Sequence, residues 1–537
     1  MRIFFNILIA IILLMSVVLL KNSCEEKKES FARDSFQDSP EDKVEWSSNI
    51  NKTTKQTEGF KEDIDWFNLS GIHDDSILSD ILLIFDSKSD LDDYLKQPNL
   101  YGVQLIDPLP SINAVRAKVV DIDKFLASQS LDFGPSKVDR NVKFNSPSPP
   151  EQRVLEQEKP FAGDAMNWIG ANPDRINRGE GICVAILDTG VDSKHPVLNG
   201  LSVKHFSMLS DQINITSAHG TSMASIISGQ AEGSLGLAPA AEIISIQVLD
   251  ELGEGDAFTV AKGIIKAVDE GADIINLRLG GMEKSRVLEN AIGYAKEKEV
   301  ILVSASGNDG LSALAYPARY EDVIGVSSID ANGRVSSFSN YGNGVDISAP
   351  GVGVLTAWDN DDFAYFSGTS VSTAFVTGAL ASEMSRNPLL SRQEVLSLLY
   401  ENADETEKPG FDRWTGNGIL NIRRVEQREK SGIYDAALVG YYFEPENLTS
   451  SGTKPFLVSV QNQGTEWIQS MSLKVNYKGL EKTFRLGNVK PGEVKSETLY
   501  FDNGNKRELR VSAQVDIQGM KDSYPKNNSR KSVLLLP

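Results

Sequence analysis

The chain is short of cysteine, histidine and positive charge, and each shortage closes off a class of protein. It has two cysteines, Cys24 and Cys183. Cys24 stands beside an apolar N-terminal segment and Cys183 lies inside the apolar run ICVAIL, so no disulfide joins them and the fold has to rest on its core. Its four histidines fall at 73, 195, 205 and 219. None of them forms the closely spaced pair with which a helix grips zinc, and no metal site is expected. Lys and Arg number 54 against 74 Asp and Glu, a net charge of −20. A surface of that sign does not bind nucleic acid or coat an anionic membrane.

What is present is length. The 537 residues suffice for about three to four domains. Residues 1–24, MRIFFNILIAIILLMSVVLLKNSC, place one arginine before an apolar run from Ile3 to Leu20. This is the pattern of an export signal, and the run also reaches the length of a membrane-spanning helix. Cys24 after Ser23 loosely fits a lipid-attachment site. Lipidation at Cys24, an uncleaved membrane anchor and plain secretion are the alternatives. All three put the bulk of the chain outside the cytoplasm, in a bacterial cell envelope or beyond it.

Residues 25–77 are rich in Glu, Lys, Asp, Ser and Asn, with too little apolar surface for a core, and read as a polar tether. Residues 78–145 read as a small βαββαβ module, from the strand ILLIF to the last strand KVDRNVKF. The prolines of SPSPPEQ then open an exposed linker, 146–160. Between 161 and 427, apolar strands such as ICVAILD, EIISIQV, IINL and ILVSAS alternate with segments of helical spacing. That is the mark of an α/β fold, a parallel sheet with helices on both faces. Sites in such sheets gather at the C-terminal strand ends. From 428 to 537 about seven short strands and no helix predict a β-sandwich.

Four segments at strand ends or helix starts carry chemistry. VAILDTGVD ends a strand at Asp188, SAHGTSMASIISG opens a helix at His219, VSASGND ends a strand at Asn308, and YFSGTSVSTAFVTG places Ser370 at a helix start. A serine hydroxyl becomes a nucleophile when a base takes its proton, and an imidazole does so near neutral pH. A carboxylate behind the imidazole fixes its tautomer. An amide N–H and a helix N-terminus can hold an oxyanion.

These segments resemble the subtilisin-like serine proteases, the subtilases. DTGVD, HGTSMA and GTSVSTA occur in that family's order, and GLAPAAEIISIQVLD, GADIINLRLGG, AYPARYEDVIGVSSID and VDISAPG match further stretches of it, over about half the chain. The resemblance implies a serine endopeptidase that works through an acyl-enzyme and requires no cofactor. Asp188, His219 and Ser370 are its triad and Asn308 its oxyanion donor. An extended protein or peptide substrate would lie between LDELGEGDA and LRLGG, touching Gly253, Gly255, Arg278, Leu279 and Gly280. The 78–145 module resembles the family's inhibitory propeptides, which implies its own propeptide as a partner, with its C-terminal tail in the cleft, and self-cleavage between about 143 and 160. Residues 428–537 resemble the CARDB adhesion-related domains, through VSVQNQGT and YPKNNSRKSVLL. Such a sandwich binds a surface ligand or only stabilises the enzyme.

The chain departs from the family pattern in places. Arg278 stands where many subtilases have serine. It could meet an acidic substrate group, Glu254 or Asp256, obstruct the cleft, or turn to solvent. Ala374 replaces a common proline. SGQAEGSLGLAP is shorter than in calcium-binding subtilisins, so calcium is left open with no assignable site. Glu254 and Asp256 are expected to favour basic or polar substrate groups. His195 and His205 read as surface residues and Cys183 as a small buried one. The competing reading is a catalytically silent envelope or adhesion protein on the same fold. An esterase is disfavoured because no G-x-S-x-G elbow precedes the helix.

Overall fold

The strand ILLI, Ile81–Ile84, is buried on both sides, and that already says that two things cover it. A computed structural model describes residues 79–128, 135–171, 176–209, 218–231, 234–358, 361–406, 409–443, 453–477, 479–502 and 508–535. The export signal, Cys24 and the tether expected from the sequence lie outside them. The first module runs β1 (Ile81–Ile84), α1 (Lys88–Lys96), β2 (Val103–Leu109), β3 (Ala114–Val119), α2 (Ile122–Ser128) and β4 (Lys137–Arg140). Its antiparallel sheet has the order β2-β3-β1-β4. Side chains alternate across a strand, so Ile81 and Leu83 pack with Leu91, Tyr94 and Phe125 of α1 and α2. Leu82 and Ile84 point the other way, into the core of the next domain.

After β5 (Lys143–Asn145) the main domain begins. It comprises β6 (Cys183–Asp188), β7 (Val203–Ser207), α3 (Ala218–Ser228), β8 (Glu242–Gln247), β9 (Glu254–Asp256), α4 (Ala257–Asp269), β10 (Ile274–Leu277), α5 (Arg286–Glu297), β11 (Ile301–Ala305), β12 (Val323–Ile329), β13 (Val345–Pro350), β14 (Val354–Ala357), β15 (Phe363–Phe366) and α6 (Thr369–Arg386). Seven strands form one sheet, ordered β13-β12-β11-β10-β6-β8-β7, and every pairing in it is parallel. Val184 and Ile186 of β6 face α3 and α6. Ala185 and Leu187 face α4 and α5. The continuous apolar strands of the sequence follow from this two-sided cover.

Local chemistry starts the helices. Asp256 caps α4 by accepting the Thr259 N–H at 2.8 Å, and Ser285 caps α5 by accepting the Leu288 N–H. Strand order reverses between β6 and β10, and the crevice at such a switch point is where α/β sheets hold ligands. Asp188 ends β6 on one side of it, and Arg278 follows β10 on the other.

The last domain has β16 (Ala436–Phe443), β17 (Thr453–Asn462), β18 (Ile468–Tyr477), β19 (Leu480–Val489), β20 (Val494–Asp502), β21 (Glu508–Ile517) and β22 (Ser529–Leu535). They form sheets β16-β17-β20 and β19-β18-β21-β22, closed over Phe456, Val458, Leu473, Val475 and Val515. This sandwich is docked on the main domain: Tyr524 donates to Gln427 at 2.9 Å, and the Arg423 guanidinium lies 3.8 Å from the centre of the Tyr524 ring.

Candidate active site

Asp188 is wholly buried at the end of β6. Its Oδ1 accepts the Thr189 N–H at 2.6 Å and the Thr189 hydroxyl at 3.1 Å. Both carboxylate oxygens also reach His219 Nδ1, at 2.8 and 2.9 Å. A carboxylate only accepts, so Nδ1 carries the proton and Nε2 is left as the acceptor. His219 is the second residue of α3, and Gly220 explains how that helix comes so near: a Cβ there would lie 2.1 Å from the Gly190 carbonyl oxygen. No other residue type lets α3 settle on the turn that follows Asp188.

Ser370 is the second residue of α6 and is 1% exposed. Its hydroxyl has no hydrogen-bond partner. Ala374 sits inside the same unbroken helix. Asn308 lies beside the helix start with its amide fixed in one orientation. Its Oδ1 accepts the Thr369 N–H and the Thr369 hydroxyl, both at 2.9 Å. Nδ2 therefore points away, and it donates to the Ser148 carbonyl at 3.0 Å.

That contact belongs to a peptide already lying in the crevice. Beyond β4 the chain enters β5, which pairs antiparallel with β9: Asn145 opposite Glu254, Phe144 opposite Gly255, Lys143 opposite Asp256. On its other edge Asn145 exchanges two hydrogen bonds with Gly280, at 3.0 and 2.8 Å. Ser146 N–H donates to the Gly253 carbonyl at 2.8 Å, and the Ser146 hydroxyl reaches His219 Nε2 at 2.9 Å. Residues 143–145 thus form the middle strand between the two segments expected to grip substrate. Phe144 is fully buried. The prolines at 147, 149 and 150 end the strand but not the occupancy. Residues 146 and 148, expected in an exposed linker, reach His219 and Asn308.

The expected contact residues divide. Gly253 meets the peptide, its missing Cβ lying 3.0 Å from Ser146 Cβ. Gly255 pairs by backbone, but the atom nearest its missing Cβ is the Val248 carbonyl oxygen at 2.6 Å, so the domain itself requires that glycine. Gly280 pairs with Asn145, and Leu279 is turned into the core. Arg278 departs from every alternative read from the sequence. It is 0% exposed and meets neither solvent, Glu254 nor Asp256. Its Nη1 donates to the His219 carbonyl at 3.2 Å and lies 3.9 Å from Asp188 Oδ2. The guanidinium sits 4.7 Å from the centre of the Phe366 ring, whose edge-on neighbour is His219 at 5.7 Å. Turned inward, it leaves the peptide track open. Asp256 is also committed elsewhere, to the α4 cap and to Arg116 of the first module at 3.3 Å.

Burial raises the Asp188 carboxyl, but the neighbouring His219 and Arg278 and the Thr189 N–H outweigh it and hold the group below its ordinary value. Burial, then the Arg278 charge, lower His219 against the opposing pull of Asp188. Burial pushes Arg278 down to about 9, with Asp188 opposing, so it is a cation at neutral pH.

The tail of the first module lies in the cleft as the resemblance implies, with Phe144 in it. Sequence reading missed that Ser146 and Ser148 continue that occupancy, and missed Thr369 as the anchor of Asn308. The alternation of VKFNS before the prolines was the available signal for Phe144 and Ser146; Ser148, beyond Pro147, had none. His195 is a further correction. It is 1% exposed, with Nδ1 accepting the Val197 N–H and Nε2 lying 3.1 Å from the Asp362 carbonyl. Among the described residues no group of three or more His, Cys, Asp or Glu could hold a metal ion, and no helix is long and apolar enough to cross a membrane.

Comparison with known proteins gives the family and the fold. Residues 179–418 match the subtilase family. The thermostable alkaline protease of Halalkalibacterium halodurans is 36% identical over 329 residues, 61% of this chain and 87% of that protein. Thermitase of Thermoactinomyces vulgaris is 40% identical over 216 residues, 39% of this chain and 77% of that one. Among solved structures, fervidolysin of Fervidobacterium pennivorans, a keratinolytic enzyme related to subtilisin, superposes with a TM-score of 0.57 at 19% identity. The match covers 85% of this chain and 91% of that one, a likeness of fold.

Proposed function

Because the chain belongs to the subtilase family and is a subtilisin-like serine endopeptidase, we propose that Ser370, His219, Asp188 and Asn308 carry its peptide hydrolysis. Ser370 Oγ attacks the carbonyl carbon and His219 Nε2 takes the hydroxyl proton. Asp188 keeps Nδ1 protonated and balances the imidazolium. Asn308 Nδ2 and the Ser370 N–H at the start of α6 hold the oxyanion. His219 then gives the proton to the leaving amine. Water, deprotonated by the same imidazole, opens the acyl-enzyme. Subtilases need no organic cofactor, and the proposed steps use side chains, the Ser370 backbone N–H and water.

The observation that carries this reading is the seated segment. Its backbone runs along Gly253–Asp256 and Gly280, a side chain of it touches His219 Nε2, and a carbonyl of it meets Asn308 Nδ2. A substrate in the same track is an extended peptide held by backbone hydrogen bonds. A fluorophosphonate probe should label the wild-type protein and fail to label Ser370→Ala. Labelling that survives the substitution would sink the assignment.

We further propose that the chain is exported and matures itself, the module ending at β5 acting as an inhibitory propeptide. We assign the cut to residues 147–149, the stretch from the end of the ladder to the carbonyl on Asn308. In support, the module caps two helices of the main domain. Asn141 Oδ1 accepts the Phe258 N–H at 3.0 Å, and Asp139 Oδ2 accepts the Arg286 N–H at 2.9 Å. Export rests on the first 24 residues, with lipidation at Cys24 as one form of anchoring. N-terminal sequencing of the purified mature protein tests all of this. A start between 148 and 150 is expected for wild type, and Ser370→Ala should remain a precursor.

A further inference from the structure

Arg278 is a charged residue of the crevice that the proposed reaction does not use. A guanidinium with no solvent contact, and with Nε and Nη2 lacking hydrogen-bond partners, is costly unless a counter-charge balances it. The carboxylate beside it is Asp188, 3.9 Å from Nη1. That carboxylate also serves His219. Two bases therefore share one acid in a dry site. With His219 neutral, Asp188 and Arg278 cancel. With His219 protonated, the buried cluster carries one net positive charge, which its low-dielectric surroundings disfavour.

Resting on the catalytic reading above, we propose that Arg278 is a positioning residue: its fixed charge against Asp188 keeps the His219 imidazole neutral, and so able to accept a proton, at lower pH than an uncharged residue at 278 allows. The groups that face His219 support this. Asp188 comes from the end of β6 and Arg278 from the segment after β10, and both charges bear on it. Ser146 from the inserted peptide and Phe366 from β15 are uncharged. Nη1 also holds the His219 carbonyl at 3.2 Å. One side chain thereby ties the start of α3 to the strand end that carries Asp188.

The test compares wild type, Arg278→Met and Arg278→Lys, each expressed as the full chain. The pH profile of kcat/KM on a peptide substrate is measured alongside fluorophosphonate labelling. In Arg278→Met the acid limb is expected to rise by about half to one pH unit, with Lys restoring it, since Lys returns the charge without the forked geometry. An active Met variant with an unmoved acid limb overturns the proposal and leaves the catalytic reading intact. Wild-type protein that takes no fluorophosphonate, or keeps the label in Ser370→Ala, overturns the catalytic reading instead. If Arg278→Met does not fold, the His219 imidazole is titrated by NMR in full-length Ser370→Ala with and without Arg278→Gln, where only four histidines contribute signals. A higher His219 value in the Gln protein supports the proposal; an equal or lower one overturns it.

Discussion

The Ser146 hydroxyl stands 2.9 Å from Nε2 of His219, on the nitrogen that takes the proton of Ser370 in the proposed mechanism, while the Ser370 hydroxyl has no hydrogen-bond partner. The inserted segment thus does more than fill the cleft: it occupies the base. One such hydrogen bond contributes about 0.5–1.5 kcal/mol net. Ser146→Ala is therefore expected to shorten the lag between self-cleavage and full peptidase activity about two- to tenfold. Progress curves of purified precursor measure it, and an unchanged or longer lag speaks against a blocking role.

Phe144 lies two residues before Ser146 and is fully buried, against Gly281 and the cluster of α4 and α5. The same pocket should read substrates. Burying a phenylalanine contributes about 1.5–3 kcal/mol. Peptides with Phe opposite Gly255 are accordingly expected to be cut about ten to a hundred times more efficiently than those with Ala there. Equal kcat/KM values for the two would show that substrates do not follow the register of the inserted segment.

Asn308 and Thr369 make a linked pair of predictions. Asn308→Ala removes a donor aimed at a carbonyl, so kcat should fall about 100- to 1,000-fold with KM little changed. Thr369→Val removes the hydroxyl that accounts for one of the two bonds on Asn308 Oδ1. A further loss of about three- to tenfold in kcat is expected from that change alone. Steady-state kinetics separate the outcomes. A Thr369→Val enzyme with wild-type kcat would mean that the backbone N–H suffices to orient the amide.

How much of this could be read beforehand differs from residue to residue. The apolar strands and their two-sided helices were legible because continuous burial leaves its mark on composition. Asp188, His219, Asn308 and Ser370 stood out because each sits where a strand ends or a helix starts, and the switch point draws those ends together. Arg278 was not legible in the same way. Sequence placed it beside the glycine strand and its acids Glu254 and Asp256, but the carboxylate it faces in space is Asp188. Asp256 was already taken by Arg116 and by the start of α4. His195 was misread for a related reason: the Asp362 carbonyl and the Phe363 ring that enclose it arrive from a distant hairpin. The prolines after Ser146 correctly signalled the end of a strand. They carried no information about the partner strands β9 and the Gly280 segment, which hold that strand in the crevice.

The pH response of the whole enzyme follows from the same buried group. The proposed hydrolysis needs neutral His219, and burial together with Arg278 holds that imidazole below its ordinary value despite Asp188. The acid limb of kcat/KM should therefore have its midpoint below about 6.5. Stability has a matching sign. The unfolded chain protonates His219 near about 6.5 while the folded chain does not, so the unfolded state binds more protons there and stability falls as pH drops through that value. Asp188 acts in a separate, lower window. Its folded value is depressed, so its contribution is complete above the ordinary carboxylate value of about 3.9 and is lost as pH falls through the lower folded one. Thermal unfolding of full-length Ser370→Ala, which cannot digest itself, should show a lower midpoint at pH 5.5 than at 7.5, and His219→Gln in that background should reduce the difference. A difference unchanged by His219→Gln would assign the pH sensitivity to other groups.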